Sequence, residues 1–153
     1  MTLKSETLPQ LTFWKAKTLE QMTPEEWEAL CDGCGRCCLH KIDDENGRVL
    51  FTNVACRLLD LNTCTCKHYR RRMDIISDCL LLTADKVKEL AWLPKSCAYR
   101  RIAEGRGLAW WHPLVSGDRD SVQMAGISVC GKVISELDVD LYHLNDHKID
   151  WID

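Results

Sequence analysis

Four of the ten cysteines in this 153-residue chain fall within eight residues, as Cys31, Cys34, Cys37 and Cys38. The C-x2-C-x2-C-C spacing suits metal ligation, because two intervening residues let both sulfurs reach one tetrahedral ion at a Zn–S distance of about 2.3 Å. Gly33 and Gly35 lie between them. A chain wrapping an ion must turn back tightly, and glycine supplies the positive φ that such turns use. Cys56, Cys64, Cys66, Cys79 and Cys97 follow. The Cys37-Cys38 and Cys64-Thr65-Cys66 pairs are too cramped for both thiols to hold one ion comfortably. They suit neighbouring ions, or one ligand beside a supporting thiol. Cys130 stands apart in a strand-like run and reads as a small hydrophobe rather than a ligand. Nine thiols remain. Two four-coordinate sites would use eight of them, while three ions could share all nine through six terminal and three bridging thiolates. Both counts stay open.

Either count leaves surplus negative charge. Arg36, Lys41, Lys67, Arg70, Arg71 and Arg72 adjoin the cysteines and could offset it; the arginine run reads equally well as a solvated face. His40, two residues past the paired cysteines, and His68, beside Cys66, could each complete a site, although a supporting or exposed histidine is the plainer reading. His112, within Trp110-Trp111-His112-Pro113, reads as packed. His143 and His147 have the i, i+4 spacing of zinc histidines but no glutamate beside the first, so chance spacing accounts for them. Asp43-Asp44-Glu45 before Asn46-Gly47 reads as a solvated turn. No phosphate loop, nucleophile elbow or dinucleotide fingerprint is present.

The segments CDGCGRCCLHK (31–41), FTNVACR (51–57), CTC (64–66), Asp78-Cys79, LPKSCAY (93–99) and WHPL (111–114) resemble the bacterial YcgN-type members of the cysteine-cluster family, a zinc- or iron-chelating family named for C-x2-C-x2-C-C. The resemblance covers most of the chain. It implies metal chelation in a bacterial cytoplasm, with a ligand set of Cys31, Cys34, Cys37, Cys38, Cys56, Cys64, Cys66, Cys79 and Cys97. Cys130 falls outside the family pattern.

The elements that must position these thiols are short. Thr23-Pro24-Glu25-Glu26 marks a helix start, with Thr as N-cap, Pro at the first helical position and Glu three residues after the cap. Trp27, Leu30 and Cys31 follow at helical spacing, which puts Cys31 at the end of a buried face, and Gly33 and Gly35 should end that helix. Residues 49–54 form a strand after the Asn46-Gly47 turn. Thr83 should cap a helix over 84–91, and Ser96 one over 97–104 closed by Gly105. Residues 127–134 read as a late strand containing Gly131. Trp27, Trp92, Trp110 and Trp111 read as core, and Leu11, Phe13 and Trp14 as anchors of the leading segment. The expectation is a small α+β single domain over 1–153, with short helices, a few strands and metal-tied irregular loops. Its core spans about 23–134, with docked terminal segments at 1–22 and 135–153.

Composition narrows the function classes. A hydrophobic fraction of 46% suffices for a globular core, and a formal net charge of −3 argues against nucleic acid as a partner. The first residues lack the apolar region of a secretion signal, and no run approaches the ~18 apolar residues of a membrane span. The reading is therefore a cytoplasmic protein with reduced thiols and no membrane, where dense cysteines bind metal or do redox work. The leading class is a chelator of zinc, or iron, whose ions hold the loops while the surface serves a protein partner; whether it is an enzyme stays open, with a non-catalytic role favoured. The alternative is an iron–sulfur cluster protein with a redox or methyltransferase-related enzymatic role, since C-x2-C-x2-C resembles ferredoxin ligation and the cluster family extends to flagellin lysine methylases. Against it, a ferredoxin run places a fourth cysteine three residues on, before proline, whereas Lys41-Ile42 stands here. A dithiol oxidoreductase fits least, because Cys31 and Cys34 follow a helix rather than a strand.

Overall fold

The computed structural model describes residues 12–76 and 82–152. Leu11 and Cys79 lie outside these residues. In chain order the elements are α1 (Phe13–Ala16), α2 (Pro24–Ala29), β1 (Leu39–Asp43), β2 (Val49–Ala55), β3 (Leu59–Asp60), β4 (Thr65–Cys66), α3 (Arg72–Ile75), α4 (Ala84–Glu89), α5 (Ala98–Ala103), α6 (Pro113–Ser116), α7 (Ser121–Met124) and β5 (Ile134–Ser135), joined by loops and 3-10 turns. This is the expected mixed α+β class. The described residues gather into two compact units, one drawn from Met1–Asp32 and Thr83–Ala125, the other from Gly33–Leu82 and Gly126–Asp153.

The first unit is helical. Thr23 caps α2 reciprocally: its hydroxyl accepts from Glu26 N at 3.2 Å, and Glu26 Oε1 accepts from Thr23 N at 2.9 Å. Thr83 caps α4 by accepting from Lys86 N. Both starts agree with the sequence. The α5 start lies one residue later than expected, with Cys97 rather than Ser96 at the N-cap. Helix α2 stops at Ala29, before the glycines, and Cys31 is exposed rather than on a buried face. Leu30 takes that place, fully buried with Leu93. The tryptophans also differ from expectation. Trp14 is buried beside Phe13, Trp27, Trp92 and Trp111 are half-buried, and Trp110 is 60% exposed. Short helices offer too little surface to enclose an indole, so Trp27 instead stacks on Tyr99 at 4.5 Å between ring centroids, and the Tyr99 hydroxyl donates to Trp27 O.

The second unit carries the sheet. β1 and β2 pair antiparallel through the Asp44–Arg48 turn, where Asp44 Oδ1 accepts from Asn46 N and Arg48 N. Of the acidic trio, Asp43 and Glu45 are exposed as read, while Asp44 is half-buried and holds the turn. β5 pairs parallel to β2 through Val54↔Ile134 and Ala55↔Ser135, and β3 pairs with β4. Residues 127–134 do not form the expected strand; only Ile134–Ser135 is extended. Gly131 has φ +79°, and Lys132 N donates to Val129 O, so the segment turns where a strand would have to continue. The terminal segment returns to β2, with Ile149 N donating to Phe51 O, and Trp151 lies within cation–π range of Arg36 and Lys132. His143 breaks the helical geometry of 141–147, so His143 and His147 do not share an α-helical face.

Candidate metal centre

The second unit draws cysteines from four stretches of chain into one neighbourhood by backbone pairing. Cys56 N donates to Cys38 O at 2.8 Å, joining the end of the C-x2-C-x2-C-C run to the end of β2. Val129 N donates to Cys34 O at 2.9 Å. The Cys64 thiol donates to the same carbonyl at 3.4 Å and accepts from Ser128 Oγ at 3.5 Å. Cys66 pairs across from Leu59, two residues before the Leu61 carbonyl to which Cys130 donates.

Two backbone features hold this arrangement. Gly35 sits at φ +80° ahead of the 3-10 turn Arg36–Cys38, and a Cβ there would lie 2.7 Å from Cys64 Sγ and from Val129 Cγ2. Only glycine lets the 34–38 loop come this close to the Cys64 turn. Cys64 itself has φ +60°, a left-handed conformation uncommon for a residue with a Cβ. It closes a turn in which Asp60 Oδ1 accepts from Asn62 N and Thr63 N, while Cys64 N donates to Asp60 O.

Cations are present, but each is committed differently. Arg36 is buried, its Nε donating to Ile127 O at 2.8 Å. Lys41 Nζ donates to Cys37 O and Leu39 O, which puts an ammonium against the thiol-bearing run. Arg72 folds over its neighbour Tyr69, and Arg71 lies 3.8 Å from Asp74, so these behave as a solvated face. His68 is exposed. His40 Nε2 is 3.1 Å from Glu136 Oε2. No sequence signal joined these two residues, which are 96 positions apart.

Cys31 and Cys97 belong to the first unit. Cys97 is buried, and burial, with the charge of Asp32 added, pushes its thiol pKa up. Burial likewise raises the Cys64 thiol. His112 is a packed histidine, as read: its Nδ1 accepts from Leu114 N at 3.0 Å, capping α6, and its Nε2 donates to Leu30 O at 2.7 Å. The first unit also has a cleft of about 1010 Å³ beside Trp14, Ile102 and Leu114. Its Lys88 is paired with Glu20 and its Arg106 with Glu104.

The donors of the second unit are thiols, the chemistry that a thiophilic ion takes, on a loop that only glycine lets approach Cys64. Among the described residues, no group of three or more His, Cys, Asp or Glu side chains is placed so that it could hold a metal ion.

Fold and donor set thus define a cysteine-rich α+β protein with no helix, among the described residues, long and apolar enough to cross a membrane. The chain is 54% identical over 143 residues to a UPF0260 protein of Rhizobium etli, covering 93% of this chain and 90% of the relative. It is 55% identical over 141 residues to a UPF0260 protein of Rhodopseudomonas palustris strain TIE-1, covering 91% and 83%. A UPF0260 protein of Allorhizobium ampelinum is 54% identical over 140 residues, covering 91% and 88%. The chain belongs to the UPF0260 family of bacterial proteins. No family profile matches it, and no solved structure does.

Proposed function

We propose that this protein is a cytoplasmic metal chelator of the YcgN-type cysteine-cluster kind, holding zinc through Cys31, Cys34, Cys37, Cys38, Cys56, Cys64, Cys66, Cys79 and Cys97. The observation that carries the reading is that Cys56 N and the Cys64 thiol each donate to a carbonyl of the 34–38 run, at Cys38 and Cys34, with Gly35 leaving no room for a Cβ beside Cys64. Thiolates from several segments suit closed tetrahedral sites with no open position for substrate. The ion's role is therefore structural, holding loops whose surface serves a protein partner. The near-neutral charge supports a partner other than nucleic acid.

Iron or an iron–sulfur cluster could use the same thiolates, and one experiment separates the cases. Anaerobically purified protein should be colourless and carry at least one equivalent of zinc. Cys34→Ala should lower the metal content, while Cys130→Ala, whose thiol is engaged by the carbonyls of Leu61 and Asn62, should not. Brown protein with matching iron and sulfide would replace zinc by a cluster and bring the redox or methyltransferase-related reading forward. Well under one equivalent of any transition metal would refute chelation altogether.

A further inference from the structure

The β1–β2 ladder is irregular at one place. Leu39 opposes Ala55 and Lys41 opposes Phe51, so the single residue His40 faces residues 52–54. Bulges of this kind re-aim a side chain and recur beside functional sites. Thr52 fixes the backbone here, its Oγ1 donating to His40 O at 2.7 Å and accepting from Val54 N at 3.3 Å.

The imidazole is fixed as well. Glu136 opens the turn that follows β5, and its side chain is only 12% exposed. Glu136 Oε2 accepts from Arg57 N at 2.9 Å and meets His40 Nε2 at 3.1 Å, while Arg57 Nη1 lies 3.6 Å from Oε1. The imidazole is thus held through Nε2 on the Glu136 carboxylate, and Nδ1 is the ring nitrogen that this contact leaves over. Carboxylate-held imidazoles of this form are the usual way a metal-ligating histidine is oriented. The place is also right, because His40 follows Cys38 by two residues and Cys38 O accepts from Cys56 N.

A second observation points to the same bulge. Asn53 Oδ1, in its middle, is buried with no hydrogen-bond partner among the described residues. Buried acceptors are rarely left alone in native proteins.

We propose that His40, oriented by Glu136, supplies a nitrogen ligand through Nδ1 to the ion held by the neighbouring cysteines of the second unit. The inference rests on the chelation reading above. It replaces one thiolate by a neutral donor, as in Cys3His structural sites, and so removes one excess negative charge per ion. Glu136 is then a positioning residue, with Arg57 holding its carboxylate.

The test uses zinc- or cobalt-loaded full-length protein. X-ray absorption of the wild type should show one nitrogen scatterer beside sulfur, and imidazole 15N spectra should show His40 coordinated at Nδ1 with its proton on Nε2. His40→Ala should weaken metal binding at least 10-fold. Glu136→Gln should weaken it by about 10- to 100-fold, in line with the usual cost of losing such a carboxylate, and should alter the His40 15N signature. Adding Glu136→Gln to His40→Ala should cost little more. Wild-type protein that binds metal through sulfur alone, or with His40 uncoordinated, overturns this inference and leaves chelation standing. Wild-type protein that binds no metal overturns both. The wild-type spectra decide the matter even where a variant fails to fold.

Discussion

His112 and Gly35 show how single residues carry this fold. Burial lowers the His112 pKa, so the folded state prefers the neutral ring whose Nδ1 caps α6 and whose Nε2 reaches Leu30 O. The sign follows directly. Protonation is easier in the unfolded chain, so the contribution is complete above the unfolded value of about 6.5 and is lost as pH falls below it. Stability measured by urea unfolding should therefore decline from pH 7.5 to 5.5, with a shallower decline in His112→Asn. A difference between the two proteins that does not change with pH would remove this role. Gly35 tests sterics rather than charge. Gly35 and Gly47 share φ +80°, yet a Cβ at Gly47 meets nothing within 4 Å. Both alanine variants should lose about 1 kcal/mol from the backbone alone. Gly35→Ala should lose a further ~1–3 kcal/mol because Cys64 and Val129 must move. Equal losses would mean that the loop yields without strain.

At the scale of elements, short-range chemistry decides what can be foreseen. The Thr23 cap belongs to α2, only six residues long with no buried residue, so little else holds its start. Thr23→Ala should cost about 1 kcal/mol, read as a lower melting temperature with reduced protection of the Glu26 amide. Thr83→Ala on α4 should behave alike, since its hydroxyl accepts from Lys86 N. The two caps and the strand around Val49–Ala55 were legible because their signals lie within a few residues of each other. The failures share the opposite property. Residues 127–134 look like a strand by composition, but Val129 N is claimed by Cys34 O, far away in sequence. The role of Trp110 and its neighbours depends on how much surface short helices can cover, which a periodicity does not encode. The pairing of His40 with Glu136 is legible from neither end alone. For the candidate site, the positive φ of Gly33 and Gly35 among the cysteines was readable, while the hydrogen bonds around them were not.

At the scale of the whole molecule, the cysteines are divided between the two units in an uneven way. Cys31 and Cys97 belong to the first, which has its own buried residues in Phe13, Trp14, Leu19, Leu30, Leu93 and Val122. The second holds the C-x2-C-x2-C-C run from Cys34 onward, with Cys56, Cys64 and Cys66. Its regular structure is a short three-stranded sheet, a two-residue ladder, the four-residue α3 and several 3-10 turns. The segments between, at 33–38 and 56–66, are mostly turns whose buried residues are Cys34, Arg36, Leu58, Leu59 and Cys64. On the chelation proposal the ion supplies much of this unit's folding free energy, of order 10 kcal/mol or more for structural zinc. Chelator treatment should therefore lower the melting temperature strongly. Hydrogen exchange in the stripped protein should show protection lost first at residues 34–38 and 56–66, while the amides of α5, packed through Tyr99 onto Trp27, keep theirs longer. Restoring zinc should bring both signals back, which distinguishes ion loss from irreversible thiol damage. An unchanged melting curve in demonstrably metal-free protein would show instead that the thiols pack the loops unaided.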